Sequence, residues 1–129
     1  VVGRKGHPRR HATSLAELVG EDWVLTGVRE RVEAEFEDAF ASQGLPPPVP
    51  MTQAESMVGV AALLSSTDAL AMLPRQWLQA ALFEGVIEAI PVREHIEGPD
   101  IVQISRAGVP LTPAAAYLST LFERAAVGM

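Results

Sequence analysis

Short apolar runs alternate with helix-period segments along most of this chain, and that alternation constrains its fold more than any other feature. Trp23-Val24-Leu25-Thr26 is short and apolar throughout, which suits a buried strand better than a helix. From Val28 the period changes. Val28, Val32, Phe36, Ala39 and Phe40 recur at i, i+4, i+8, i+11 and i+12, one stripe of an amphipathic helix. Glu30, Glu33, Glu35, Glu37 and Asp38 fill its solvated face. Gly44 stops this helix, and Pro46-Pro47-Pro48 keeps it from resuming.

The same rhythm continues. Residues 49–52 read as a second strand, placed near an edge by Pro50. Residues 57–64 read as a helix buried on more than one side, with Glu55 or Ser56 at its start. A turn at Ser65-Ser66-Thr67-Asp68 leads to a third strand at 69–73, closed by Pro74. Residues 76–83 read as a helix whose core face is Trp77, Leu78, Ala81 and Leu82, and residues 86–90 as a fourth strand. A looser segment at 93–100, broken at Gly98-Pro99, precedes a fifth strand at 101–104. Thr112-Pro113 supplies an N-cap and a first-turn proline for a last helix with the stripe Ala114, Tyr117, Leu118, Leu121, Phe122 and Ala125. Near the start, Ser14-Leu15-Ala16-Glu17 has capping-box spacing and opens a short helix that Gly20 ends. Strand and helix in alternation argue for an α/β fold with largely parallel strands and helices on both faces.

Composition narrows the class. A length of 129 residues suffices for one domain with its own core and is too short for two full ones. With 48% hydrophobic and 20% charged residues the chain is globular in composition. No apolar run approaches the ~20 residues of a membrane helix, so no membrane partner is expected. Val1-Val2-Gly3-Arg4-Lys5-Gly6-His7-Pro8 lacks the order of a secretory signal and has no starting Met, which suggests a trimmed product. Absence of cysteine rules out disulfides and thiolate metal sites and fits the cytoplasm. Net charge is -6, yet Arg4, Lys5, Arg9 and Arg10 crowd one stretch. No aromatic residue interleaves them for base stacking. A solvated loop explains them better than a nucleic-acid site, and the acidic remainder would repel DNA.

Ligands of open α/β sheets bind beyond the carboxyl ends of the strands, where the following helices start. Two such junctions stand out, Leu25-Thr26-Gly27-Val28-Arg29 and Thr52-Gln53-Ala54-Glu55-Ser56. Unpaired N–H groups at a helix start suit a carboxylate or another small anion. Gly27 allows close backbone approach, Thr26 adds a hydroxyl, and Arg29 adds a cation. Capping explains Thr26 and Ser56 equally well, and an exposed role explains Arg29 equally well. Catalytic chemistry is not indicated. His7, His11 and His95 lack metal-site spacing, no serine sits in a nucleophile elbow, and no glycine pattern forms a phosphate or dinucleotide loop. Neither metal nor cofactor is expected.

Three stretches, in this order, carry a likeness to a known family. They are Gly6-His7-Pro8 with Ser14-Leu15-Ala16-Glu17-Leu18 and Trp23-Val24-Leu25; Ser66-Thr67-Asp68-Ala69-Leu70-Ala71-Met72-Leu73-Pro74; and Ile104-Ser105-Arg106 with Pro110-Leu111-Thr112-Pro113-Ala114-Ala115. Over nearly its whole length the chain resembles the effector-binding region of LysR-type transcriptional regulators. The resemblance implies a periplasmic-binding-protein-like (type 2) sensor of two α/β halves, with a small effector in the cleft between them.

On that reading residues 6–102 form the distal subdomain, while 1–5 and 103–129 supply the crossings and the C-terminal helix of the proximal one. Gly3, Arg4, Ile104 and Arg106 then mark the hinge, and Thr26, Gly27, Val28 and Arg29 with Gln53, Ala54 and Ser56 line the cleft. The resemblance also implies a cytoplasmic homo-oligomer that meets DNA only through an N-terminal winged helix-turn-helix, which these residues do not include. The stripe on the last helix is expected to be covered, by the rest of this subdomain or by another copy. A solute-binding protein of a transport system is the main alternative, and an α/β enzyme fragment a third.

Overall fold

Successive side chains of an extended strand point to opposite faces, so the run at 23–26 serves two cores. In the computed structural model Trp23 and Leu25 enter one core while Val24, between them, enters another. The structure describes residues 1–27, 29–96, 98 and 102–127, the side chains of 29–31 and 127 excepted. The chain divides into two units, residues 1–97 and 98–129.

The first unit is built on one five-stranded sheet. Its strands are β1 (Val2–Arg4), β2 (Trp23–Thr26), β3 (Thr52–Ala54), β4 (Leu70–Ala71) and β5 (Ile87–Ala89), in the order β3-β2-β4-β1-β5. β2 runs parallel to β3 and β4, and β1 runs antiparallel to β4 and β5. The sheet is therefore mixed, with four strands pointing one way. Helix α1 (Arg29–Ala41) covers one face, where Phe36 and Phe40 join Trp23, Leu25, Leu70 and Ile90. Both phenylalanines meet Trp23 edge-on, at 5.3 and 5.4 Å between ring centroids. Helix α2 (Met57–Ser66) covers the other face, where Val60, Ala61 and Leu64 join Val2, Val24, Ala71 and Ile87. Helices on both faces and mainly parallel strands are as the alternation predicts.

Several local readings need correction. The second strand is 52–54 instead of 49–52. Prolines at 46–48 and 50 have no N–H for a ladder, so Val49 is 90% exposed and pairing takes hold only after Met51 donates to Trp23 O at 2.8 Å. α2 buries a single face, leaving Met57 and Val58 exposed. It also runs through Ser66, where the Ser65 and Ser66 hydroxyls donate back to Ala62 O.

Residues 76–83 do not form an α-helix. A 3-10 turn at Arg75–Gln79 gives way to further turns, because the chain bends to stack Phe83 on Trp77 at 5.7 Å. Such a pair at i, i+6 cannot share a helix face, and Ala81 and Leu82 are left exposed. Residues 102–104 are not in a strand, and Ile101 lies outside the described residues. Ile104 is 88% exposed. The fifth place in the sheet belongs to β1.

The capping box is only half made. Residues Leu15–Leu18 form a 3-10 turn and the Ser14 hydroxyl makes no capping bond. Glu17 reaches one residue further back, accepting from Thr13 N at 3.0 Å, while Leu15 N donates to Glu94 Oε1 at 3.0 Å. The other terminal signals hold. Beyond α1, Gly44 N and Leu45 N donate to Ala41 O and Phe40 O, the paired bonds of a Schellman ending. The acidic face of that helix is solvated at Glu33, Glu37 and Asp38.

The second unit contains α3 (Pro113–Val127), opened as expected by Thr112, whose Oγ1 accepts from Ala115 N at 3.3 Å. Along its apolar stripe Tyr117 is 66% and Phe122 59% exposed.

Candidate functional site

Parallel pairing of β2 with β3 and β4 aligns their carboxyl ends, and both junctions singled out in the sequence lie there. Thr26 ends β2, and its hydroxyl donates to Met72 O beyond β4 at 3.5 Å, a long and weak bond. Gly27 follows at φ 124, a conformation closed to most side-chain-bearing residues. A Cβ there would also lie 2.8 Å from Val32 Cγ2. Sequence position thus has a double physical basis at Gly27.

The two junctions are tied together. Gln53 Nε2 donates to Gly27 O at 2.6 Å, and Gly27 N donates to Ala54 O at 3.3 Å. Ala54 is buried beneath α2, so only its backbone is available at this edge. Ser56 caps α2, its hydroxyl accepting from Gly59 N at 3.1 Å, which realises the capping role. Val60 N makes the first intrahelical bond, to Ser56 O, so the Met57 and Val58 amides have no partner within the helix. They stand at the positive end of its dipole. Glu55 beside them is exposed. Val28 lies outside the described residues, and Arg29 opens α1.

The expected hinge residues fall into two places. Gly3 and Arg4 are in β1. Ile104 and Arg106 lie in the second unit, exposed and outside any strand. Sequence reasoning left one residue without a role. His7 is fully buried, with Nδ1 accepting from Arg9 N and Nε2 facing Asp68 O. Its only advance signal was position, a histidine between Gly6 and Pro8 just after the first apolar pair.

Among the described residues no three His, Asp or Glu side chains gather as a metal site requires. No helix among them is long and apolar enough to cross a membrane. What the edge can do is hold a small polar ligand, through Thr26, the Gly27 backbone, the Gln53 amide and the α2 amides.

A mixed α/β sheet covered on both faces, with helix-starting loops along its carboxyl edge, agrees with the periplasmic-binding-protein-like type 2 class to which the matching family model assigns this chain. Comparison with known proteins gives the family: the chain belongs to the LysR substrate binding domain, whose family model matches residues 1–126. It is also 26% identical over 119 residues to the HTH-type transcriptional regulator GalR of Pseudomonas putida strain KT2440, covering 92% of this chain and 30% of that relative. The chain therefore spans less than a third of the length of that curated relative. Family membership makes this a ligand-sensing regulatory domain and decides against the transport-protein alternative.

Proposed function

We propose that this domain binds a small anionic effector at the carboxyl edge of its sheet and thereby biases a LysR-type regulator between DNA-bound states. Thr26, Gly27, Gln53 and Ser56 form the effector wall, and Ala54 contributes through its backbone; Val28 and the Arg29 side chain, expected from the sequence to join them, lie outside the described residues. The observation that carries this reading is the 2.6 Å bond from Gln53 to Gly27 O, which draws the two helix-starting loops into one surface beside the first α2 amides, which have no partner within the helix. An anion gains there from oriented N–H donors and from the helix dipole.

In the full regulator, residues 6–102 act as the distal half, with β1 and the 102–106 segment carrying the chain across to the other half. Gly3, Arg4, Ile104 and Arg106 mark those crossings. A homo-oligomer in the cytoplasm reads DNA through a separate N-terminal domain. The effector shifts it only by as much as its affinities for the two states differ. The domain has no catalytic role.

The test is a thermal-shift screen of the full-length protein against small carboxylates, phosphates and sulfonates. A ligand at a hundredfold excess over its Kd stabilises the folded protein by about 2.7 kcal/mol. Binding without turnover, weakened tenfold or more by Gln53→Ala and by Thr26→Val, supports the reading. Turnover of the ligand, or a shift that both variants keep unchanged, refutes it.

A further inference from the structure

Groups that the effector wall does not use fasten β1 to the far end of α2. His7 is the one polar side chain among the described residues that is fully buried. Its Nδ1 lies 2.9 Å from Arg9 N and its Nε2 2.8 Å from Asp68 O. An amide N–H can only donate and a carbonyl can only accept, so the ring is neutral with its proton on Nε2. A Cβ on Gly3 would lie 3.0 Å from the His7 ring and 3.1 Å from Leu70 Cδ2, so the glycine lets the imidazole sit closer to β1 than a side-chain-bearing residue would without a small shift.

Asp68 is gripped a second time. Arg4 Nε meets Asp68 Oδ1 at 2.6 Å, and Arg4 Nη1 donates to Lys5 O and Gly6 O. Asp68 follows directly on the end of α2, where Thr67 returns both its N–H and its hydroxyl to Leu63 O at 3.1 and 2.8 Å. The helix is thus held at its C-terminal end by β1 and begins, roughly 15 Å away for ten residues, at Ser56.

We propose that His7 and the Arg4–Asp68 pair form a latch that makes β1 and α2 one cooperative body, so that movement at the Ser56 end reaches the crossing strand. The latch itself stands on the contacts above; its service to sensing rests on the proposed function, through Ser56 as effector wall and β1 as crossing. His7 and Arg4 act here as positioning residues.

Native-state amide hydrogen exchange of the full-length protein, followed across a denaturant series, tests the latch without any ligand. In the wild-type protein the amides of residues 2–4 and 64–70 are expected to exchange through a single opening with a common denaturant dependence. His7→Phe keeps the ring shape and loses both nitrogens, and is expected to lower protection in both segments at least tenfold while β2 and β3 hold. If that variant does not fold, Arg4→Met leaves His7 in place and is expected to loosen the same two segments together. Separate openings in the wild-type protein, or lost protection confined to residues 7–10, would overturn the latch. The two readings fail separately: shared exchange with no anion bound in the thermal-shift screen sinks the effector wall alone, and bound anions with unshared exchange sink the latch alone.

Discussion

Gly27 is where backbone conformation and side-chain space agree on one residue. Its φ of 124 disfavours any side chain, and a Cβ would lie 2.8 Å from Val32 Cγ2. Gly27→Ala is expected to destabilise the fold by about 1–3 kcal/mol, read by urea denaturation. Adding Val32→Ala should recover the steric share and leave the backbone share in place. Glu17 offers a pH-dependent counterpart. The Thr13 N–H lowers its pKa most; desolvation opposes it, and the Thr13 hydroxyl, the Ser14 N–H and the Arg93 charge add to the lowering. A carboxylate depressed in the folded state stabilises above its unfolded pKa, and that stability is lost as pH falls through the folded value. The stability gap between wild type and Glu17→Gln should therefore be full near neutrality and close below about pH 4. A gap that stays constant across urea titrations from pH 7 to pH 3 would contradict this. Both sites were legible only in part: the capping-box spacing marked Glu17, but its partner is Thr13 because the Ser14 position turns into a 3-10 segment.

At the scale of elements, periodicity served best where a helix had one clear apolar face. α1 and α3 begin and end where their caps and stripes place them, and β2 matches its apolar run residue for residue. Phe40 is fully buried against Trp23, so Phe40→Ala should cost about 3–5 kcal/mol. Glu37→Ala on the solvated face should stay within roughly 0.5 kcal/mol. Equal losses in a chemical-denaturation comparison would mean that α1 does not cover the sheet as described. Ser56→Ala, which removes the cap of α2, should cost about 1 kcal/mol in the same assay. Elements that the pattern misplaced had no local reason to be where they are. β3 starts late because prolines upstream lack donors, and residues 76–83 leave the helical path because Trp77 and Phe83 stack across a turn. Short runs of four or five apolar residues fit either state, and the neighbour they meet decides.

Over the whole molecule, the apolar stripe of α3 is a surface that the stability of the helix alone does not require. Tyr117, Leu118, Leu121 and Phe122 are all exposed, and contiguous exposed apolar patches of this kind mark binding surfaces or aggregation liabilities. A Tyr117→Ser/Phe122→Ser variant should bind a hydrophobic dye such as ANS less strongly than the wild-type chain, at unchanged helicity by circular dichroism. Unchanged dye binding would show that the stripe is covered in solution. The sequence by itself determined the alternation of strand and helix, the two-faced core, most helix ends and the two loops of the candidate site, because each arises from residues a few positions apart. Only the tertiary structure decided that β1 fills the sheet against the direction of its neighbours and that His7 belongs inside. It alone joined Gly6 to Glu88, His7 to Asp68 and Arg4 to Asp68, across separations of 82, 61 and 64 residues. Periodicity is blind to such partners, since a buried polar group is satisfied by whatever donor or acceptor the fold brings beside it.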